Sequence, residues 1–141
     1  FAATDSAEGP QNEGPPPCDA VLDALKNTGA GKMTVNALRS KATVGANEQI
    51  AYGGFLAGRL ILSDVYDGAG QHSSNRASFG PAARHLRRLG VSNPNVEIHT
   101  HQNGAIQPNP VSPHDIGLAN FFDQTKVAID ALGNITCVQG K

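Results

Sequence analysis

Apolar and polar positions divide the chain into short segments of two periods. Residues 49–57 (QIAYGGFLA) and 59–66 (RLILSDVY) are runs rich in aliphatic and aromatic residues on either side of Gly58. They predict two paired strands, with Asp67-Gly68 as the following turn. Gly53-Gly54 inside the first run predicts close approach of a backbone or a ligand. Residues 96–101 (VEIHTH) form a further strand, and 126–131 with 134–138 a closing hairpin around Leu132-Gly133. Helical spacing marks the rest. In 19–27, Val21, Leu22 and Leu25 share one face and Gly29 is the stop signal. Thr34 is the expected N-cap of a second helix, with Val35 and Leu38 inward. Residues 69–79 read as loop, and 81–89 as a helix led by Pro81 and stopped by Gly90. Residues 113–124 carry Ile116, Ala119 and Phe122 at core spacing. This order predicts an α/β domain with a mixed, mostly antiparallel sheet flanked by helices.

The chain has 141 residues, 39% of them hydrophobic, enough for one core. Residues 1–17 (FAATDSAEGPQNEGPPP) are polar and rich in Pro and Gly, and read as a flexible linker before a domain over 18–141. With Phe1 first and no signal-peptide pattern, a piece of a longer polypeptide is expected, freed by processing or by deliberate truncation. The two cysteines, Cys18 and Cys137, either pair across the domain or stay separate thiols, and they are too few for a Cys-rich zinc site. A net charge of −1 argues against a non-specific grip on nucleic acid. No apolar run approaches the roughly 20 residues that span a bilayer, so no membrane partner is expected.

Three stretches carry candidate chemistry. Gly29-Ala30-Gly31-Lys32 has the look of a phosphate loop but lacks its first Gly and the Ser or Thr after the Lys. Arg84, His85, Arg87 and Arg88 make either a solvated helix face or a grip on an acidic substrate or partner. His99 and His101 are two apart on a strand and so share a face, where they could share one metal ion. Zinc takes imidazole and carboxylate ligands and leaves one position open in catalytic sites, and Asp115 is a plausible third ligand. Ser112-Pro113-His114-Asp115 is also a sound helix start by itself, with Ser112 as N-cap and Asp115 in the first turn.

His99-Thr100-His101 followed by Ser112-Pro113-His114-Asp115 resembles the signature of the JAMM (MPN/JAB) zinc metallopeptidases: His-x-His, a loop, then Ser-x-x-Asp. The resemblance covers residues 48–141 and implies a JAMM/MPN-like fold, a Zn2+ cofactor and a peptide or protein substrate. It assigns zinc binding to His99, His101 and Asp115, and oxyanion stabilisation to Ser112. The loop over 102–111 is three residues longer than usual, a small cost at a surface. In that family the general base is a Glu three residues before a Gly-aliphatic-Leu-x-Gly stretch. Gly54-Phe55-Leu56-Ala57-Gly58 resembles this stretch, with Phe55 in the aliphatic slot. The base position is then 51, and residue 51 is Ala. Glu48 lies three residues upstream, an odd offset that puts it on the other face from position 51. It serves as base only if a bulge or a different register turns it inward. The chain is therefore expected to bind zinc without turning over. Either it is a natural pseudoenzyme or a Glu→Ala substitution at 51 silenced it, and the intact Ser112 and ligand set favour substitution.

The Pro/Gly-rich linker, Tyr52-Gly53-Gly54-Phe55 and the Ser-Pro-x-Asp motif are similar to JAB-like C-terminal toxin domains of bacterial Rhs-type polymorphic toxins. That likeness implies a secreted effector of interbacterial competition, released from a larger polypeptide and acting in the target-cell cytoplasm. It also implies a cognate immunity protein. Two other functions compete. A metal-dependent nuclease or phosphoesterase toxin would need extra acidic ligands, and no second acidic cluster stands near the histidines. A non-catalytic MPN-like binding module would have no use for the ligand set.

Overall fold

Strand β1 (Gln49–Leu56) is the hub of the sheet, pairing with three other strands. A computed structural model of the chain describes residues 14–41, 48–67, 76–101, 124–130 and 133–140. Within them, α1 (Cys18–Asn27) and α2 (Gly29–Lys41) precede β1. There follow β2 (Arg59–Leu62), β3 (Tyr66–Asp67), α3 (Arg76–Arg88), β4 (Val96–His101), β5 (Thr125–Asp130) and β6 (Ile135–Gln139). The sheet order is β2-β1-β4-β5-β6, with β3 also on β1. Among the described residues only the β4–β5 pair is parallel. The described residues thus form an α/β fold of three helices on a six-stranded, mixed, mostly antiparallel sheet, as the apolar pattern predicts.

The two sheet faces bury different sets of residues. Val96 and Ile98 of β4, with Val127 and Ile129 of β5, pack under Val21 and Leu25 of α1 and Val35 and Leu38 of α2. On the other face Ile50 and Tyr52 of β1 pack against Ala82 and Leu86 of α3 and against Val91. The Phe79 and Tyr52 rings meet in a T-shaped pair, 5.3 Å between centroids with an interplanar angle of 87°.

Several boundaries differ from the sequence expectation, each for a local reason. Gly29 does not merely stop α1; it opens α2. Thr28 does both capping jobs: its Oγ1 donates to Ala24 O (2.7 Å) and accepts from Gly31 N (3.0 Å). Thr34, expected as the cap, is buried inside α2. Residues 76–79 are helical rather than loop, and α3 runs through Pro81 instead of starting there. Its end matches the Gly90 signal: Val91 N bonds Leu86 O and Gly90 N bonds Arg87 O, with Gly90 at φ +102°. This is a Schellman closure, which needs a left-handed residue after the helix. The run over 59–66 is two strands, interrupted where Ser63 Oγ accepts from Tyr52 N. Ala57 and Gly58 both have positive φ (54° and 76°), the signature of a two-residue hairpin turn. The helix expected over 113–124 lies outside the described residues except for Gln124, which is not helical.

The last four residues of the expected linker are ordered against the domain. Asn95, Thr125 and Gln139 donate side-chain hydrogen bonds to the carbonyls of Gly14, Pro16 and Pro15 respectively. The two cysteines, left open as paired or separate, form a Cys18–Cys137 disulfide that ties the start of α1 to β6. Among the described residues no helix is long and apolar enough to cross a membrane.

The glycines resembling a phosphate loop have a packing role. A Cβ at Gly31 would stand 2.2 Å from Ala24 O and 2.7 Å from Leu25 Cα, so only glycine lets α2 approach α1 this closely. Gly53 likewise approaches the Ile61 carbonyl, where a Cβ would come to 2.5 Å. We expect Gly31→Ala to destabilise the fold by roughly 1–3 kcal/mol through overpacking, read by urea denaturation. No measurable loss would show that the two helices can shift apart freely.

Candidate functional site

The histidine strand β4 lies between β1 and β5, and its neighbours define what shares its face. Opposite residues of paired strands project to the same side of a sheet. His99 pairs with Ile50 on β1 and with Ala128 on β5. Glu97 pairs with Tyr52 and Lys126, and His101 with Asp130. The polar row Glu97, His99, Lys126 and Asp130 therefore stands on the α3 face, among Ile50 and Tyr52. Each of the four is almost fully buried.

This row holds groups that sequence reading passed over. Glu97 and Lys126 form an ion pair in the sheet interior. Asp130 Oδ1 accepts from Asn134 N at 2.8 Å and Oδ2 from Asn134 Nδ2 at 3.1 Å, closing the β5–β6 turn. The signal was available: Glu97 has the parity of His99 in VEIHTH, and Lys126 has the parity of Ala128 and Asp130 in TKVAID. What hid it was the habit of reading a charged residue on a strand as solvent-facing. Burial pushes the Lys126 ammonium from 10.5 down to about 7.

The register gives the face on which position 51 stands. Ala51 pairs with Ile98, and both are fully buried. Ile98 belongs to the cluster under α1 and α2, so Ala51 sits on the face away from His99. A carboxylate there would enter an apolar core and would not face the histidine row. The odd offset between 48 and 51 still holds, but its consequence reverses. Glu48, directly before β1, has the parity of Ile50 and Tyr52, and hence of the histidine face. No bulge is required. Glu48 is half-buried, and the neighbouring Gln49 N donates to Thr100 Oγ1 at 2.9 Å, so β1 and β4 stay together at this end.

The arginines sit beside this face, on α3. Arg84, Arg87 and Arg88 are exposed, and His85 Nδ1 lies 3.9 Å from Asp64 Oδ2. Tyr66 pairs with Ile50, the partner of His99, so it stands two strands from the histidine, about 10 Å at the usual spacing. Burial pushes the Tyr66 phenol up and Asp64 adds to this, while Arg88 and Arg84 pull it down. Arg84 and Arg88 thus act on the histidine side of the sheet, which the sequence could not show.

Ser112 and Asp115 lie outside the described residues, as does the loop over 102–111. Among the described residues no three His, Cys, Asp or Glu side chains come together as a metal site. What the structure contributes toward a zinc ligand set is a buried imidazole at 99 and a second histidine two positions on. Imidazole nitrogen on a rigid central strand suits zinc. No protein-family model matches the chain, and no curated protein matches it.

Two outcomes follow. Purified protein should bind about one Zn2+ per chain, and His99→Ala should abolish it, as read by elemental analysis after dialysis. Zinc retained at full occupancy by His99→Ala would remove this residue from the ligand set. For Lys126 the lowered value fixes the sign of a pH effect. Between about pH 7 and 10.5 the unfolded chain holds more protons at this lysine than the native one, so its contribution to stability rises with pH there. Lys126→Met should flatten that slope in denaturation curves. It should also cost roughly 3–5 kcal/mol, because Glu97 is left buried without its partner.

Proposed function

We propose that this chain is a zinc-dependent hydrolase of peptide or isopeptide bonds on a JAMM/MPN-like fold. The observation that supports the reading is the β1–β4 register, which sets Ile50 opposite His99; Glu48, two residues before Ile50, has the same parity. His99, His101 and Asp115 would hold the metal. Bound zinc would supply Lewis acidity to the scissile carbonyl and to the attacking water. Glu48 takes the role that position 51 cannot fill: it accepts the proton of the attacking water and passes it to the leaving amine. Ser112 donates a hydrogen bond to the developing oxyanion. Arg84 and Arg88 border the face and suit an acidic group on the substrate. Ala51 is then a core residue, and a chain with Ala at 51 keeps its base.

The fold is also compatible with a C-terminal toxin domain of a secreted Rhs-type polymorphic effector. Support comes from the motif likeness and from a disulfide, a bond typical of proteins that pass through oxidising compartments. Its partners in that setting would be a protein substrate in the target cytoplasm and an immunity protein.

The deciding experiment compares Glu48→Gln and Ala51→Glu with the parent chain on peptide and ubiquitin-like isopeptide substrates, with and without chelator. We expect Glu48→Gln to lower kcat about 10²–10⁴-fold with zinc content unchanged. Ala51→Glu should bring no gain and should destabilise the fold. An inert parent chain made active by Ala51→Glu would overturn the assignment of Glu48 and restore position 51 as the base. Cleavage of plasmid DNA or RNA in place of peptide bonds would favour the phosphoesterase alternative.

A further inference from the structure

The segment 14–17 and the first turn of α1 are fastened to the sheet by contacts unrelated to the histidine face. Asn95 Nδ2 donates to Gly14 O at 2.7 Å, Gln139 Nε2 to Pro15 O at 3.2 Å, and Thr125 Oγ1 to Pro16 O. Pro17 O accepts from Ala20 N (3.1 Å) and Val21 N (3.2 Å) and so starts α1. Cys18, the first residue of that helix, is bonded to Cys137 in the middle of β6. Pro15, Pro16 and Pro17 offer no N–H, so these three residues can only accept hydrogen bonds.

No residue of the strap belongs to either core cluster, and Gly14, Pro15 and Pro16 are half-buried. A cavity of about 410 Å³ lies against it, bounded also by Ala20, Phe55 and Asn95. From the end of its first turn onward α1 is anchored by its side chains: Val21, Ala24 and Leu25 are buried, Val21 and Leu25 in the core cluster. The covalent bond therefore sits at the boundary between a strap outside the core clusters and a helix anchored in one of them. Its two ends are 119 residues apart in sequence, so no local chain geometry would keep them together once it opens.

We propose that Cys18–Cys137 is a redox latch whose reduction frees residues 14–17 and the first turn of α1 while the six-stranded sheet stays folded. The chemistry is thiol–disulfide exchange with a cellular dithiol or two monothiols. The reductant supplies two electrons and two protons, the S–S bond breaks, Cys18 and Cys137 become thiols, and the reductant leaves as its disulfide. Disulfides persist in secreted and extracytoplasmic settings and are reduced in the cytosol. The latch would thus keep the N-terminal attachment rigid outside a cell and loosen it inside one. This does not depend on the hydrolase reading.

The test is amide hydrogen exchange on the full 141-residue chain, oxidised and then reduced with dithiothreitol. On reduction the Ala20 and Val21 amides should exchange about tenfold faster or more, with β4 and β5 amides such as Ile98 and Val127 unchanged. Reoxidation should restore protection, and Cys18→Ser/Cys137→Ser should exchange like the reduced protein without any reductant. Should the double variant fail to fold, the reduced parent chain decides. Unchanged exchange at 20 and 21 would overturn the proposal, since the strap would then hold without the bond. Equal acceleration in β4 and β5 would also overturn it, since the bond would then be holding the whole fold.

Discussion

The pairing of β1 with β4 is the constraint on which the other features depend. It sets Ile50 against His99 and Ala51 against Ile98. Because side chains alternate with a period of two, a one-residue slip would exchange the two faces of the strand completely. Glu97 and His99 would then enter the cluster of Val21, Leu25, Val35 and Leu38, and Val96 and Ile98 would leave it. Burying a carboxylate and an imidazole in that apolar layer, without the partners they have now, is far more costly than any gain from the slip. Core formation and placement of the histidine row are one event.

That event divides the domain into two unequal faces. The face under α1 and α2 has an aliphatic core with buried threonines beside it, and carries none of the buried charged groups. The face under α3 mixes Ile50, Tyr52 and Leu86 with Glu97, His99, Lys126 and Asp130. The polar groups there are secured by specific partners: Lys126 for Glu97 and the Asn134 turn for Asp130. Such pairs contribute little net stability beyond an apolar equivalent but permit few alternative registers.

The N-terminal strap belongs to the face under α1 and α2, and it shows how far a composition argument reaches. Pro and Gly in FAATDSAEGPQNEGPPP correctly indicate that this stretch makes no core of its own. Yet carbonyls at 14, 15 and 16 satisfy side chains from three separate places in the sheet, and Cys18 is fixed to β6. A segment without hydrophobic drive can still be ordered by partners contributed from elsewhere.

The apolar period alone determined the α/β class, the strand at 96–101, the closing hairpin and the inward faces of Val21, Leu25, Val35 and Leu38. Those signals are local, and burial enforces them at each position. It also determined that His99 and His101 share a parity, since that follows from one strand. It could not determine which residue of β1 stands across from them, because register is a relation between segments far apart in the chain, as in the pairing of Gly53 with Val96. Motif spacing put the base at 51; the tertiary pairing put 51 in the core and Glu48 at the histidines' parity. The Glu97–Lys126 pair, the union of Cys18 with Cys137 and the approach of Arg84 and Arg88 to Tyr66 were settled in the same way. Each depends on two segments meeting in space, and only the closed sheet with its packed helices decides which segments meet.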